Sequence, residues 1–391
     1  MQIYLDHSAT TPTRTEAIAA MGRVMTAAWG NPSSIHQWGE RASTAIEQAR
    51  FQVAALINAN PDAIAFTSGG TEANNQAIMG VANMYDTPQH LIISSVEHSS
   101  ISAPVNWLES RGWQVTRLPV DRAGRIDPRD LATAIRPNTV LVSVIYAQSE
   151  VGTIQPIAEI AKICRQQQVC FHTDAVQAAG KIAIDVQKLG IDLLSMSSHK
   201  LYGPQGAGAL YIRPGLALVP LLAGGGQEMG WRSGTQAVPQ IAGFGVAAEL
   251  ASEELAVEST RLIGLRDRLF ELLADCPLLV PTGDRCHRLP HHLSFWLQIP
   301  RCQGHEPITG KTIVRQLNLA GIGISSGAAC ASGKLTPSPI LLAMGYSKTM
   351  AIGGIRLSLG RETTEADVDW TASAIEQILD RLMPKVALSR R

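Results

Sequence analysis

Between about residue 60 and residue 215 the chain alternates short apolar runs with longer stretches patterned every three or four residues. This alternation restricts the fold more than any other feature. Residues 63–68, 91–96, 115–120, 140–147, 169–175 and 193–197 read as buried strands. Helical patterns such as 72–85 and 157–167 lie between them, and Pro156 stands just before the second, where a first-turn proline is tolerated. Strand–helix alternation of this kind predicts an α/β unit with a mostly parallel central sheet and helices on both faces. After Gly234 the rhythm changes. A long helical stretch, 240–274, is followed by strand-like runs at 278–280 and 292–298, a helix at 311–320 and a strand at 354–359. A closing helix follows at 364–382, and its opening, Thr363-Thr364-Glu365-Ala366-Asp367, carries the side chains of a helix N-terminus. Strands that come singly between helices predict a smaller α+β domain beginning near residue 256.

Composition narrows the function classes. A chain of 391 residues has room for two domains, and 45% apolar with 17% charged residues marks a folded protein with a large core. The 33 basic and 33 acidic side chains cancel, so nucleic acid is not an expected partner. The longest run without Asp, Glu, Lys or Arg, residues 316–333, contains Asn318, serines and four glycines and is unfit to span a membrane. The opening MQIYLDHSATTP lacks the apolar core of a signal peptide, so the expected compartment is cytoplasmic. The six cysteines, at 164, 170, 276, 286, 302 and 330, show no CxxC pair, and no protein-owned metal site is expected. Most are read as small buried hydrophobes.

Three features converge at strand ends. Ser68-Gly69-Gly70-Thr71-Glu72 leaves a strand and opens a helix, where free backbone N–H groups, the helix dipole and the Thr71 hydroxyl suit a phosphate. Alone, the same run is also an ordinary strand–helix turn. Asp174 ends a strand in His172-Thr173-Asp174-Ala175-Val176-Gln177, where it is either a ligand to a cation or a helix cap. Lys200, in Ser197-Ser198-His199-Lys200, follows 200 − 174 = 26 residues later, and a strand-end amine suits Schiff-base chemistry where a lone lysine would be read as surface. Together these parts fit pyridoxal 5′-phosphate: a lysine for the aldehyde, an aspartate for the pyridinium nitrogen, a cup for the phosphate. His98, after the strand at 91–96, is placed to stack on the ring and carry protons, or else to cap a helix.

These residues belong to longer runs: YLDHSATTP (4–12), NPSSIH (31–36), TSGGTEANN (67–75), EHSS (97–100), EVGTIQPI (150–157), HTDAVQAAGK (172–181), SSHKLYGPQG (197–206), GGGQE (224–228), RSGT (232–235), SSGAACASG (325–333) and IRLSLGR (355–361). In these runs the chain resembles the class V aminotransferase group of pyridoxal-phosphate enzymes and, within it, the cysteine desulfurases. The resemblance implies the fold type I of that cofactor class. Its large domain would span residues 14–255, and its small domain would combine residues 1–13 with 256–391 and carry a catalytic-cysteine loop at about 325–339. It implies Lys200 on the cofactor aldehyde, Asp174 on the ring nitrogen, Gln177 near the ring oxygen and His98 stacked on the ring. Gly70, Thr71, Ser197 and His199 would hold the phosphate, joined by Thr235 from a second subunit, which makes the expected assembly a homodimer with shared sites. Arg356 would clamp the carboxylate of L-cysteine, with Asn31 close by.

Cys330 sits among small, polar residues, a setting for an exposed thiol that can ionise, although an ordinary loop thiol fits the same surroundings. The resemblance makes it the persulfide carrier, on a loop long enough to reach a sulfur-acceptor or iron–sulfur scaffold protein. The chain departs from the family at Gln148-Ser149-Glu150, where relatives usually carry Asn-Asn-Glu; this affects substrate orientation near Ser149. Alternatives in the same fold are a selenocysteine lyase and an aminotransferase. A sulfur-relay or scaffold-binding protein without turnover is the alternative from another class.

Overall fold

The computed structural model describes residues 2–298, 308–327 and 336–382. Its centre is a seven-stranded sheet with strands in the spatial order Ile64–Thr67, Gly208–Ile212, Leu193–Ser197, Cys170–Asp174, Thr139–Ser143, His90–Ser94 and Gln114–Leu118. The last five pair in parallel, while Gly208–Ile212 runs antiparallel to both of its neighbours. All six strands read from the sequence are present, and the reversed one is an addition.

The alternation of side chains along each strand explains the layers. Leu91, Ile93, Leu141 and Leu193 enter a core on one face with Ala77 and Ile78 of the helix Gly70–Ala82. Ile92, Val142, Phe171 and Leu194 enter the core on the other face with Ile46, Val53 and Phe244. Both faces are covered by helices, so successive residues of one strand, such as Leu91, Ile92 and Ile93, can all be apolar. This arrangement leaves the strand ends as the place for polar chemistry.

A further core holds Ile3, Leu5, Phe295, Ile313, Leu357, Ile375 and Leu379. It backs a four-stranded antiparallel sheet in the order Ser325–Ser326, Gly354–Ser358, His292–Leu297 and Leu279–Pro281. The N-terminal strand Ile3–Tyr4 pairs in parallel with Ile322–Gly323, so the first residues join the core of the last. One uninterrupted helix of 35 residues, Val238–Leu272, serves both units. Its first half buries Phe244 and Ala248 in the large core, and its second half buries Leu262, Leu265 and Leu269 in the small one.

The cysteines depart from the expectation of burial. Cys164 is buried, and burial pushes its thiol up to about 12, but Cys170 and Cys276 are only partly covered and Cys286 is exposed. Cys286 lies in the turn Asp284–His287, where its backbone N–H and that of His287 both donate to Asp284 Oδ1. A polar turn rather than an apolar run decides its exposure. Cys302 and Cys330 lie outside the described residues.

Candidate active site

A cavity of about 200 Å³ opens where the strands end, lined by Gly70, Thr71, Asn74, His98, Ser100, Ile145, Ser149, Asp174, Val176, Gln177, Ser197, His199 and Lys200. Gly70, Thr71, His98, Asp174, Gln177, Ser197, His199 and Lys200, separated by up to 130 positions in the chain, therefore share one wall.

The cup at the start of helix Gly70–Ala82 is built from close approach. A Cβ on Gly70 would lie 2.6 Å from Val176 Cγ2, so only glycine fits without displacing the loop after Asp174. Glu72 closes the turn behind it: Oε2 accepts from Ser68 N–H at 2.8 Å, and Oε1 accepts from Arg232 Nε at 2.8 Å. The first-turn N–H groups are left for an anion. His199 stands on the 3₁₀ turn after strand Leu193–Ser197 and holds Thr10 Oγ1 through Nδ1 at 3.1 Å. Burial, with Lys200 nearby, lowers its pKa to about 4, so the ring is neutral at pH 7.

Asp174 ends strand Cys170–Asp174 and is buried. Oδ1 accepts from Val176 N–H at 3.0 Å and Oδ2 from Asn74 Nδ2 at 2.7 Å, while the same amide reaches Ser100 Oγ at 2.8 Å. Burial raises the carboxyl above its ordinary range, and these donors, with His98 and Lys200, pull it back. A protonated pyridine nitrogen would complete that compensation. Beneath it His172 is threaded between Ser143 Oγ (2.8 Å) and Ser195 Oγ (3.0 Å), and burial lowers its pKa to about 3. It is a neutral tie between three strands.

Lys200 Nζ donates to the carbonyls of Ser8 (2.6 Å) and Ala9 (2.8 Å), and Gln177 Nε2 also donates to Ser8 O at 2.9 Å. Burial first, and then the positive charge of Arg356, lower the lysine to about 8. At pH 7.5 about a quarter of such amines are neutral, against about a thousandth for an unperturbed lysine. His98 caps helix Ser99–Glu109: its Nδ1 accepts from Ser100 N–H at 3.2 Å and contacts Ser100 Oγ at 2.7 Å, and the ring is exposed at the cavity mouth. The capping and ring-facing readings of this residue are thus compatible. Behind the pocket Glu97 is fully buried, with Oε1 accepting from Ser94 Oγ (2.5 Å) and Ile145 N–H (2.8 Å), and burial pushes it up to about 8.

Arg356 does not line the cavity but touches its wall. Nη1 donates to Ser149 O at 3.1 Å, Nη2 to Asp6 Oδ1 at 2.6 Å, and Nε has no partner among the described residues. Asn31 and Thr235 are exposed and not among the residues that line the cavity, with Asn31 Oδ1 taken by Ser33 N–H at 2.9 Å.

Asn74 was not singled out in the sequence as a partner of Asp174, although it falls four residues after Gly70, on the same helix face. The carbonyls of Ser8 and Ala9 carry no side-chain signal at all.

The set fits pyridoxal 5′-phosphate: a cup that a Cβ would fill, a buried carboxylate held for a cation, and an amine kept partly neutral. A strand-end lysine, a buried strand-end aspartate and a glycine cup at one mouth define a fold type I enzyme of that cofactor. The Aminotransferase class-V family model matches residues 3–370, and the chain belongs to that family, whose members carry pyridoxal phosphate. The chain is 44% identical over 386 residues to a protein of Dictyoglomus turgidum named cysteine desulfurase IscS, covering 97% of this chain and 95% of the relative. Among solved structures it is similar to a NifS-like protein (35% identity, TM-score 0.89, covering 97% of this chain and 99% of that one). It is also similar to a structure described as SspA in complex with cysteine (35% identity, TM-score 0.80, covering 92% and 99%).

Proposed function

We propose that this chain is a pyridoxal-phosphate-dependent cysteine desulfurase, which converts L-cysteine to L-alanine and leaves a persulfide on Cys330. The observation that carries the reading is the single cavity joining Lys200, Asp174, His98 and the Gly70–Thr71 cup. When bound, the cofactor supplies an electron sink for the pair left at the substrate Cα. Gly70, Thr71, Ser197 and His199 hold its phosphate, Asp174 its ring nitrogen and Gln177 its ring oxygen. Lys200, partly neutral, takes the proton from the substrate Cα. Arg356 holds the substrate carboxylate, with Asn31 beside it. The Cys330 thiolate attacks the substrate sulfur: an S–S bond forms, the Cβ–S bond breaks, the Cβ gains a proton, and return of a proton to Cα completes L-alanine, with His98 moving protons at the substrate.

Thr235, exposed and not among the residues that line its own cavity, supports a homodimer in which it completes the partner's phosphate site. Two separate cores support a large domain of residues 14–255 and a small one of 1–13 and 256–391. The persulfide would pass to a sulfur-acceptor or iron–sulfur scaffold protein, in a cytoplasmic setting. No helix among the described residues is long and apolar enough to cross a membrane, and none of their side chains cluster as a metal site.

The test is to incubate the pyridoxal-loaded protein with L-cysteine and a thiol reductant and to measure alanine and sulfide together. Equal yields that vanish in Cys330→Ala are expected. A loaded protein that forms no alanine, or a Cys330→Ala protein as fast as wild type, would overturn the proposal.

A further inference from the structure

Asp6 is the acidic residue of the N-terminal segment that reaches both chemical groups of the site. Its backbone is fixed by the strand that carries Arg356. Asp6 forms a parallel bridge to Ser358, Ser358 N–H donates to Leu5 O at 2.8 Å, and Ser8 N–H donates to Ser358 Oγ at 2.8 Å. Tyr4 Oη donates to Asp6 O at 3.0 Å and to Thr10 O at 2.9 Å, bracing the same turn. From this fixed backbone the Asp6 carboxylate meets Arg356 Nη2 at 2.6 Å, with the two side chains only 19% and 12% exposed. Two residues on, Ser8 O and Ala9 O receive Lys200 Nζ.

The guanidinium is thus held at two of its three nitrogens, Nη2 by Asp6 and Nη1 by the Ser149 carbonyl. The buried Nε–H is the donor left without a partner among the described residues. With essentially no exposed surface, that nitrogen turns into the protein, and the N–H bonds left for a ligand are those on the two Nη atoms. A carboxylate in contact with the arginine that is to bind a carboxylate would be a poor choice if attraction alone mattered, since it offsets the very charge the substrate needs. It makes sense as an orienting contact: a planar guanidinium pinned through one N–H on each Nη atom has its plane, and the direction of its other Nη N–H bonds, fixed.

We infer that Asp6 is a positioning residue for substrate recognition, pinning the Arg356 guanidinium in one orientation for the α-carboxylate of the amino-acid substrate, while it offsets the arginine's charge at Lys200. The inference rests on the reading of Arg356 as the carboxylate clamp.

The test compares Asp6→Ala, Asp6→Asn and Arg356→Lys, each shown by absorbance to bind pyridoxal phosphate. Asp6→Ala frees the guanidinium and raises the KM for L-cysteine about tenfold or more, with kcat changed less than about threefold; Asp6→Asn keeps an acceptor at Nη2 and returns KM to within about threefold of wild type. A second readout needs no turnover. In cofactor-free protein with ¹³C-labelled lysine, the Lys200 Nζ titration moves to lower pH in Asp6→Asn, because Arg356 is no longer offset, and stays in place in a distant surface control such as Asp62→Asn. An unchanged KM in Asp6→Ala, an Asp6→Asn protein as impaired as Asp6→Ala, or an unmoved lysine titration would overturn the role of Asp6. If Arg356→Lys leaves KM unchanged, the clamp itself is wrong, and the inference falls with it for a different and recognisable reason.

Discussion

Replacing Asn74 by alanine tests the electrostatic design of the pocket directly. The Asn74 amide gives Asp174 one of its two hydrogen bonds, at 2.7 Å, and both side chains are buried. A hydrogen bond to a buried charged group contributes about 1.5–3 kcal/mol. Its loss leaves Val176 N–H as the remaining donor to the carboxylate and raises the Asp174 pKa further. Burial already raises Asp174 above its ordinary range, so the change further disfavours the ionised form that a pyridinium nitrogen needs. Titrating the cofactor-free protein with pyridoxal phosphate and following its absorbance at pH 7.5 gives the affinity. The expected Kd is about ten- to a hundredfold weaker in Asn74→Ala, at 1.4 kcal/mol per tenfold. The deficit narrows as the pH is raised and Asp174 ionises regardless. A Kd within about twofold of wild type in a folded protein, or a deficit independent of pH, would refute the account.

Two further outcomes concern stability. Glu97 is raised in the folded state to about 8, so the folded protein holds its proton more tightly than the unfolded chain; its contribution is full below about pH 4.5 and is lost as the pH climbs toward 8. Urea midpoints of the cofactor-free protein at pH 6 and pH 9 should therefore draw together in Glu97→Gln, and an unaltered gap would contradict the assignment. Glu228 meets Arg50 at 2.5 Å and accepts from Phe66 N–H at 2.8 Å, all buried. Glu228→Ala should cost about 3–5 kcal/mol in denaturant unfolding by leaving the buried guanidinium with only the exposed Glu47 and the Ile64 carbonyl, and a loss below about 1 kcal/mol would mean that those partners suffice.

Much of this was readable in the residues, and the exceptions share a cause. Strands such as His90–Ser94 and Leu193–Ser197 announce themselves because both faces are buried, which leaves mostly apolar residues ended by polar ones. The reversed strand Gly208–Ile212 is just as apolar and buried, yet direction depends on a connection through Gly203–Gly206, not on composition. Lys200 and Asp174 carried a signal in their residue types. The groups that tune them did not: two main-chain carbonyls hold the lysine, and an asparagine amide reaches the aspartate across 100 positions. Arg356 stands out in the sequence as a candidate carboxylate binder, but its pairing with Asp6 spans 350 positions and exists only once the small sheet has closed.

That span has a consequence for assembly. Ser8 and Ala9 hold the Lys200 amine, and the segment they belong to is itself seated on Ser358. On a ribosome the N-terminal residues emerge first yet lack their seat until almost the whole chain has been made. The central sheet can form from more local contacts well before then. The lysine is therefore available early, and its final environment is among the last to mature, so cofactor capture reports that the whole chain is in place.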